Sequence, residues 1–244
     1  MVTALLLSGG TGTRMGMEKP KQYIEANGKP IISYCLERLF LHEGIDAVQI
    51  VADKAWRETI LGWMENIQCG GYGRTAVEKR SRGKGKFRGF SAPGKNRQLS
   101  ILNGLEDIGK YAADSDCVLI HDAARPLVSA KQIEDCLEAV RGGHDGALPV
   151  LPMKDTVYYS EDGKAVTSLL ERSRIFAGQA PEAFLFGKYV EAVRALMPER
   201  IFQINGSTEP AIMAGMDIAM IPGDEGNFKI TTMADLERFR EITG

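Results

Sequence analysis

The chain opens on an apolar run and a glycine-rich loop, Leu5-Leu6-Leu7-Ser8-Gly9-Gly10-Thr11-Gly12-Thr13-Arg14-Met15-Gly16, followed closely by Lys19-Pro20-Lys21-Gln22. The apolar residues 2–7 are typical of a buried β-strand. Glycines let the backbone approach an anion and direct its N–H groups at it. Arg14, Lys19 and Lys21 add the positive charge that polyphosphate requires. The segment therefore predicts a strand that leads into a nucleotide phosphate-binding loop.

Two common glycine motifs do not match this loop. A dinucleotide-binding fingerprint requires a glycine three residues after Gly12, where the chain has Met15, and a Walker A loop requires Gly-Lys-Ser/Thr, which does not follow. A turn that binds nothing is the alternative interpretation of this stretch. The cations at fixed distance beyond the glycines favour the phosphate-binding interpretation.

The composition is that of an ordinary globular protein, with 244 residues of which 44% are hydrophobic and 25% charged. A net charge of −2 argues against a general nucleic-acid binder. The four cysteines show no Cys-x-x-Cys spacing, which indicates reduced thiols. No basic leader precedes the first strand, and no apolar run reaches membrane-spanning length. We therefore expect a cytoplasmic protein with neither a nucleic acid nor a membrane as partner.

Strand and helix patterns alternate along the chain. Strands are predicted at residues 2–7, 47–51, 117–120 and 146–150, and helices at residues 30–41, 54–66, 99–108, 130–140 and 233–242. This alternation predicts an α/β fold, with a Rossmann-like, mostly parallel sheet and helices on both faces, in a single domain of residues 1–244. Ligands bind at the carboxyl ends of such strands. The glycine loop and Asp122 are therefore expected at one site.

Two stretches interrupt the alternation. Residues 70–97 are rich in Gly, Arg and Lys, and form either a solvated loop or a rim that attracts phosphate. Residues 155–181 begin with a pattern typical of a β-hairpin over 155–167, with Gly163 in the turn. Because a two-stranded ribbon is not stable alone, we expect this arm to pack on a second subunit.

Four polar residues elsewhere are candidates for the site. Asp122 follows a buried strand and suits Mg²⁺ when a nucleotide phosphate shares the site; alternatively it caps the next turn and pairs with Arg125. Asn96 is placed to cap a helix, and Ser100, one turn later, can reach a phosphate or a nucleobase. Lys229 is a cation within an apolar segment, near the phosphates or on the surface.

Several short motifs occur in an order that resembles the methylerythritol-phosphate and ribitol-phosphate cytidylyltransferase family. They are Gly9-Gly10-Thr11-Gly12-Thr13-Arg14-Met15, Pro20-Lys21-Gln22, Asn96-Arg97-x-x-Ser100-Ile101-x-Asn103-Gly104, His121-Asp122-Ala123-Ala124-Arg125-Pro126, Asp155-Thr156 and Asn227-Phe228-Lys229-Ile230-Thr231-Thr232. The resemblance spans nearly the whole chain, and the ordered set is far more specific than any member. It implies a Rossmann-like nucleotidyltransferase, a β-arm that forms a homodimer, CTP as donor and Mg²⁺ as cofactor.

The resemblance also implies a role for each site residue. Arg14, Lys21 and Lys229 would be catalytic, neutralising charge on the transferring phosphoryl group. The nucleotide-binding residues would be Ser8, Gly9, Gly10, Thr11, Gly12, Thr13, Asn96 and Ser100. Asp122 would bind the metal. The acceptor phosphate would be held by Arg125, Thr156 and Arg172, with Arg172 arriving from the partner subunit.

The chain departs from the family pattern mainly on the acceptor side. Ala180 replaces a usual threonine, Glu182 replaces a neutral amide, and Ser207-Thr208-Glu209-Pro210 replaces a usual Thr-Asp pair. We expect CMP transfer to 2-C-methyl-D-erythritol 4-phosphate, and the alternative acceptor is ribitol 5-phosphate or another polyol phosphate. An NAD-binding oxidoreductase and a non-catalytic nucleotide-binding regulator are the remaining alternatives.

Overall fold

A computed structural model describes residues 1–10, 19–68 and 85–244. Its strands are β1 (Val2–Leu7), β2 (Glu25–Ala26), β3 (Lys29–Pro30), β4 (Ala47–Val51), β5 (Phe87–Ser91), β6 (Cys117–Asp122), β7 (Gly146–Pro152), β8 (Tyr158–Tyr159), β9 (Ser168–Leu169), β10 (Phe176–Gly178), β11 (Glu182–Leu185) and β12 (Ile218–Pro222). Its α-helices are α1 (Ile31–Leu41), α2 (Arg57–Gln68), α3 (Arg97–Ile108), α4 (Ala130–Arg141), α5 (Phe186–Arg194), α6 (Glu209–Met213) and α7 (Met233–Thr243).

Eight of the described strands form a mixed, mostly parallel central sheet, and β2–β3 and β8–β9 are separate two-stranded pairs. Its order is β10-β7-β11-β6-β1-β4-β5, and β12 also pairs with β7. Strand β1 is parallel to both neighbours, β4 and β6, whereas β11 runs antiparallel to β6 and β7. The carboxyl ends of β1, β4 and β6 therefore lie at one edge of the sheet, which confirms the predicted α/β fold.

Two hydrophobic clusters cover the two faces of this sheet. One contains buried side chains of α1, α2 and α4, and the other contains those of α3 and α5. The central strand β1 contributes side chains to both clusters: Leu6 belongs to the first and Leu5 to the second, and both are fully buried. A third, smaller cluster packs α7 against β2 and the beginning of α1. Burial on both faces explains why the strands appear in the sequence as continuous apolar runs.

Local signals set the ends of several helices. The Asn96 side chain accepts a hydrogen bond from Leu99 N at 2.8 Å and caps α3, as expected. Thr232 and Asp235 form a reciprocal capping box at the beginning of α7. Within the described residues, the helices are too short or too polar to cross a lipid bilayer.

The two interruptions of the α/β pattern have different outcomes. Part of the predicted basic loop, Phe87–Ser91, is strand β5 and pairs with β4, whereas residues 70–84 lie outside the described residues. The predicted ribbon is present in a shorter form, in which Tyr158 pairs with Leu169 and Tyr159 with Ser168. Its second strand lies later than predicted, because Asp162 accepts hydrogen bonds from backbone N–H groups and keeps the connecting residues in a turn.

Candidate active site

The beginning of the glycine-rich loop is held by the short helical turn that follows it in sequence. The Gln22 amide donates to the carbonyl oxygens of Ser8 and Gly10 at 2.7 and 2.8 Å. The Ser8 hydroxyl donates to the Tyr23 oxygen at 2.8 Å and is buried. Ser8 therefore shapes the loop from the protein interior, while no atom of the described residues lies within 4 Å of the place that a Cβ atom on Gly10 would take. The predicted phosphate-binding residues Thr11, Gly12, Thr13 and Arg14 lie outside the described residues.

A second loop, residues 92–96, lies against Gly9. A Cβ atom on Gly9 would lie 2.6 Å from the Pro93 Cβ atom, so any larger residue would push the two loops apart. Ser100 holds the second loop in place, because its hydroxyl accepts from Gly94 N at 2.9 Å and donates to the Asn96 carbonyl at 2.9 Å. The predicted nucleotide-binding residues Gly9, Asn96 and Ser100 are thus brought together.

Asp122 is the centre of the charged part of the site. It ends β6, is 8% exposed, and accepts hydrogen bonds on both carboxylate oxygens. Oδ1 accepts from Arg97 Nη2 at 3.0 Å and from Arg97 Nε at 3.3 Å, and Oδ2 accepts from Lys229 Nζ at 2.8 Å. Burial alone would raise the pKa of Asp122, but the charges of Arg97 and Lys229 outweigh burial and hold that pKa well below its usual range. Asp122 is therefore a fixed anion between two cations.

Lys21 joins this group from the glycine-loop side. Its Nζ donates to the Ile230 carbonyl oxygen at 2.7 Å, and Ile230 follows Lys229 directly in the chain. Lys21 and Lys229, the two lysines predicted to be catalytic, are separated by 208 residues of sequence. The hydrogen bond to Ile230 nevertheless brings Lys21 to the backbone next to Lys229. Together they place two positive charges at the edge of the sheet where the glycine loop begins.

Arg125 lies beside this group but does not pair with the Asp122 side chain. Its Nη1 donates to the Asn227 carbonyl at 2.8 Å, and its buried Nε has no hydrogen-bond partner in the described part of the chain. The Arg125 carbonyl in turn contacts His121 Nε2 at 3.0 Å. Burial lowers the pKa of His121 to about 4, so this histidine is neutral and structural. The alternative in which Asp122 pairs with Arg125 through their side chains is thus wrong, since Arg97 and Lys229 occupy the carboxylate.

Thr156 and Arg172, predicted to bind the acceptor, are not brought to this group within the described chain. Both are exposed and lie on the segment that carries the β8–β9 ribbon. The Arg172 guanidinium donates to the Lys154 carbonyl at 2.8 Å. Neither residue shares a hydrogen bond or ion pair with Asp122 or Arg125 in the described part of the structure. Their predicted role requires a second subunit or a bound substrate.

The residues present fit Mg²⁺ only in a limited way. The described residues contain no cluster of three or more His, Cys, Asp or Glu side chains able to hold a metal ion. Asp122 is one carboxylate at the strand end, and its Oδ2 retains a lone pair beside the Lys229 hydrogen bond. Mg²⁺ is commonly held by one or two carboxylates, substrate phosphates and water. Asp122 therefore suits a metal that a triphosphate brings with it.

Comparison with known proteins identifies the family of this chain. The profile of the 2-C-methyl-D-erythritol 4-phosphate cytidylyltransferase family matches residues 2–79 and 88–243. The chain belongs to this family. A member from Rubrobacter xylanophilus with that name is 34% identical over 236 residues, which cover 96% of this chain and 90% of that protein. A ribitol-5-phosphate cytidylyltransferase from Lacticaseibacillus paracasei is 28% identical over 242 residues, which cover 98% and 97%.

A solved structure supports the fold independently. The crystal structure of 2-C-methyl-D-erythritol 4-phosphate cytidylyltransferase from Francisella tularensis superimposes with a TM-score of 0.77 at 22% identity, and the match covers 98% of each chain. At this identity the likeness concerns the fold. This chain therefore shares the fold of that solved structure.

Sequence reasoning did not assign three residues that shape the site. Arg97 is the main partner of Asp122, Gln22 anchors the glycine loop, and buried Asn227 holds Arg125 through its carbonyl. All three lie in the sequence motifs that resemble the family, and membership of those motifs was the only indication from sequence that they belong to the site. Their contacts span between 12 and 102 residues of sequence, so the local pattern does not reveal the partners.

Proposed function

We propose that this family member transfers CMP from CTP to a polyol phosphate, with 2-C-methyl-D-erythritol 4-phosphate as acceptor, and releases pyrophosphate. The observation that carries the proposal is the ionised Asp122 held between Arg97 and Lys229, with Lys21 bonded to the backbone next to Lys229, beside the glycine loop at the end of β1. Cations preorganised next to a backbone cradle are what a transferring phosphoryl group requires. The buried, reduced cysteines Cys35 and Cys136 fit the cytoplasmic location that we propose.

The reaction follows from charge and position. An oxygen of the acceptor phosphate attacks the α-phosphorus of CTP, the bond between the α- and β-phosphates breaks, and pyrophosphate leaves with the electron pair. The attacking oxygen is already anionic, so a strong general base is not required. Lys21 and Lys229 stabilise the charge that spreads over the α-phosphoryl oxygens, and Arg125 orients the acceptor phosphate. Neutral His121 takes no part, because it is buried and bonded to the backbone.

We propose Mg²⁺ as the cofactor, held by Asp122 and the CTP phosphates. When bound, the ion neutralises charge on the triphosphate and orients it. The chain's own contribution is to keep Asp122 ionised and in place through Arg97 and Lys229.

Pyrophosphate release is the direct test of the proposed function. The protein is incubated with Mg²⁺, CTP and one of several phosphates: 2-C-methyl-D-erythritol 4-phosphate, ribitol 5-phosphate, erythritol 4-phosphate or glycerol 3-phosphate. We expect release that depends on both CTP and acceptor, with the highest kcat/KM for the first. The control for the oxidoreductase alternative replaces CTP with NAD and follows NADH formation, which stays absent if the protein is a transferase. Absence of release with every acceptor, from a folded protein that still binds CTP, would instead favour a nucleotide-binding regulator.

Ribitol 5-phosphate is the second candidate acceptor because relatives named for it match nearly the whole chain. One from Streptococcus agalactiae serotype V is 30% identical over 99% of this chain. The acceptor side is also where Ala180 stands in place of a usual threonine. Ala180 is buried, and its carbonyl accepts from Asn227 Nδ2, so it lies directly behind the residue that holds Arg125. The panel above separates the two acceptors by their kcat/KM values.

CTP is expected to stabilise the protein more than ATP, GTP or UTP does. The physical reason is the contact between Gly9 and Pro93, which together with the Ser100–Gly94 hydrogen bond leaves little room for a purine. The measurement is thermal unfolding with each nucleotide at equal concentration in the presence of Mg²⁺. A larger increase in Tm with ATP than with CTP contradicts this prediction.

A homodimer joined through the β8–β9 ribbon is also expected. The ribbon exposes large apolar side chains, since Tyr158 is 60% and Leu169 is 64% exposed, and such patches mark interaction sites. Replacing both residues by Ser is expected to give a monomer by light scattering. The matched control replaces Ile212 and Met213, which are 63% and 47% exposed on α6, and should leave the dimer intact. A monomeric wild-type protein with full activity refutes the prediction.

Mixed dimers test whether Arg172 serves the partner's site. A chain carrying Lys21→Ala and a chain carrying Arg172→Ala are refolded together. If Arg172 acts across the interface, each mixed dimer contains one intact site and recovers activity that neither variant has alone. If Arg172 acts within its own chain, both sites of the mixed dimer stay defective.

A further inference from the structure

A second buried carboxylate lies behind the site described above. Glu182, the first residue of β11, pairs in register with Ile120 on β6, two residues before Asp122. Its side chain is 7% exposed, and its Oε1 accepts from the Thr208 hydroxyl at 3.1 Å. Its Oε2 is buried with no hydrogen-bond partner in the described part of the chain. An under-satisfied buried carboxylate requires a physical explanation.

The positive charge that acts most strongly on Glu182 is that of Arg97. Burial raises the pKa of Glu182, and the Arg97 charge opposes this only in part. For Arg97, burial lowers the pKa, but the charges of Asp122 and Glu182 together raise it above its usual value. Arg97 therefore interacts electrostatically with two buried carboxyl groups, those of Asp122 and Glu182, and a charge on Glu182 is unfavourable for folding. A residue retained at a cost in stability points to a role in function.

Ser207 and Thr208, adjacent in the chain, connect Glu182 to Arg97. The Thr208 hydroxyl donates to Glu182 Oε1 at 3.1 Å, and Arg97 Nη1 donates to the Ser207 hydroxyl at 2.5 Å. The Ser207 carbonyl accepts from the buried Tyr189 hydroxyl at 2.7 Å, so Ser207 itself has a fixed position. The Arg97 guanidinium is thus held through Nη1 by Ser207, next to the Thr208 that contacts Glu182, and through Nε and Nη2 by Asp122.

We propose that Glu182 is a positioning residue, whose carboxylate, acting through Thr208 and the neighbouring Ser207, fixes Arg97 in the orientation that holds Asp122 and Lys229 for catalysis. The inference rests on the proposed cytidylyltransferase reaction. The Thr208 hydroxyl lies 3.1 Å from Glu182 Oε1. A carboxylate introduced at position 208 would therefore place a negative charge close to where Glu182 now carries its own. Both positions are among the departures found in the sequence, and the structure places them in direct contact.

Glu182→Gln tests the proposal because it removes the charge and keeps the shape. We expect kcat to fall about tenfold or more, since small displacements of a catalytic group cost this much, with the KM for CTP changed less than kcat. We expect the Tm to stay equal or rise, because a buried charge has been removed. A residue with a purely structural role would instead lower Tm and kcat together.

Relocating the carboxylate provides the matched pair of variants. Glu182→Gln/Thr208→Asp restores the negative charge, whereas Glu182→Gln/Thr208→Asn has the same shape without it. We expect the first to recover most of the lost kcat and the second to recover none. Equal recovery by both, or recovery by neither, overturns the proposal. Ser207→Ala, which removes the connecting hydroxyl, is expected to lower kcat in the same direction.

A readout without turnover separates this inference from the proposed function. The ¹⁵Nε–¹Hε NMR signal of Arg97 reports its hydrogen bond to Asp122. We expect this signal to shift or broaden in Glu182→Gln and to return to its wild-type position in the double variant Glu182→Gln/Thr208→Asp. A signal unchanged by Glu182→Gln, together with wild-type kcat, overturns the positioning role. If even the wild-type protein released no pyrophosphate, the proposed reaction would fail, and the NMR signal would still decide whether Glu182 orients Arg97.

Discussion

Asp122→Asn is expected to destabilise the protein by about 3 kcal/mol, the lower end for loss of one partner from a buried ion pair. The substitution leaves Arg97 and Lys229 facing a neutral amide, whose NH₂ group repels one of them. The lower end applies because the side chains of Arg97 and Lys229 are 29% and 33% exposed and are partly screened by water. Urea unfolding at neutral pH measures the change.

The same substitution is expected to reduce pyrophosphate release by about a hundredfold or more, the usual cost of losing one preorganised electrostatic group. Asp122 orients Lys229, so both lose their effect on the transferring group. The matched control is Asp135→Asn, which breaks an exposed ion pair with Lys131 on α4 and should cost no more than about 0.5 kcal/mol. An Asp122→Asn protein with wild-type stability and a rate within threefold of wild type contradicts the central place given to Asp122.

Lys21→Ala is expected to lower turnover by about a hundredfold or more, corresponding to about 2.7–4 kcal/mol of transition-state stabilisation. Lys21 supplies charge beside the glycine loop and bonds to the Ile230 carbonyl next to Lys229. Its hydrogen bond contributes only about 1 kcal/mol to stability, so the fold is expected to survive. Steady-state pyrophosphate release with CTP and acceptor both varied measures the effect.

The control for this prediction is Lys131→Ala, whose side chain is 81% exposed on α4. It removes the same charge far from the sheet edge and should leave the rate unchanged. Arg14→Ala is expected to reduce turnover as strongly as Lys21→Ala, on the basis of the sequence motif. Near-normal rates in both Lys21→Ala and Arg14→Ala would mean that these cations are ordinary surface residues.

Local signals explain which elements the sequence predicts well. The strands Val2–Leu7 and Ala47–Val51 have the predicted bounds, because both are apolar runs buried on both faces. Strand β5, Phe87–Ser91, was not predicted, because three of its five residues are only half buried and one is exposed. Its strand conformation comes from pairing with β4, a partner some 40 residues earlier. Strand β11 was missed for a similar reason, since it is inserted antiparallel between β6 and β7.

In the candidate site, too, local sequence predicted some features, whereas others depend on contacts between distant segments. The sequence placed the glycine loop and Asp122 at one site, because strand ends in an α/β sheet meet at one edge. The structure brings Lys229 to Asp122 and Lys21 to the backbone next to Lys229. The assignment of catalytic, nucleotide-binding and acceptor roles stays a prediction. Arg97 was not predicted as the partner of Asp122, since it precedes Asp122 by 25 residues and reaches it only because α3 packs on β1, the strand next to β6.

By itself, the sequence determined the family, the α/β class and the set of polar residues at the sheet edge. These depend on apolar periodicity, glycines and caps, which act over a few residues. Only the tertiary structure decided that Asp122 lies between Arg97 and Lys229 and that Glu182 contacts Thr208. Such pairings depend on how elements distant in sequence pack, and in a buried, low-dielectric site the energy of a charge is set by the charges that packing places beside it.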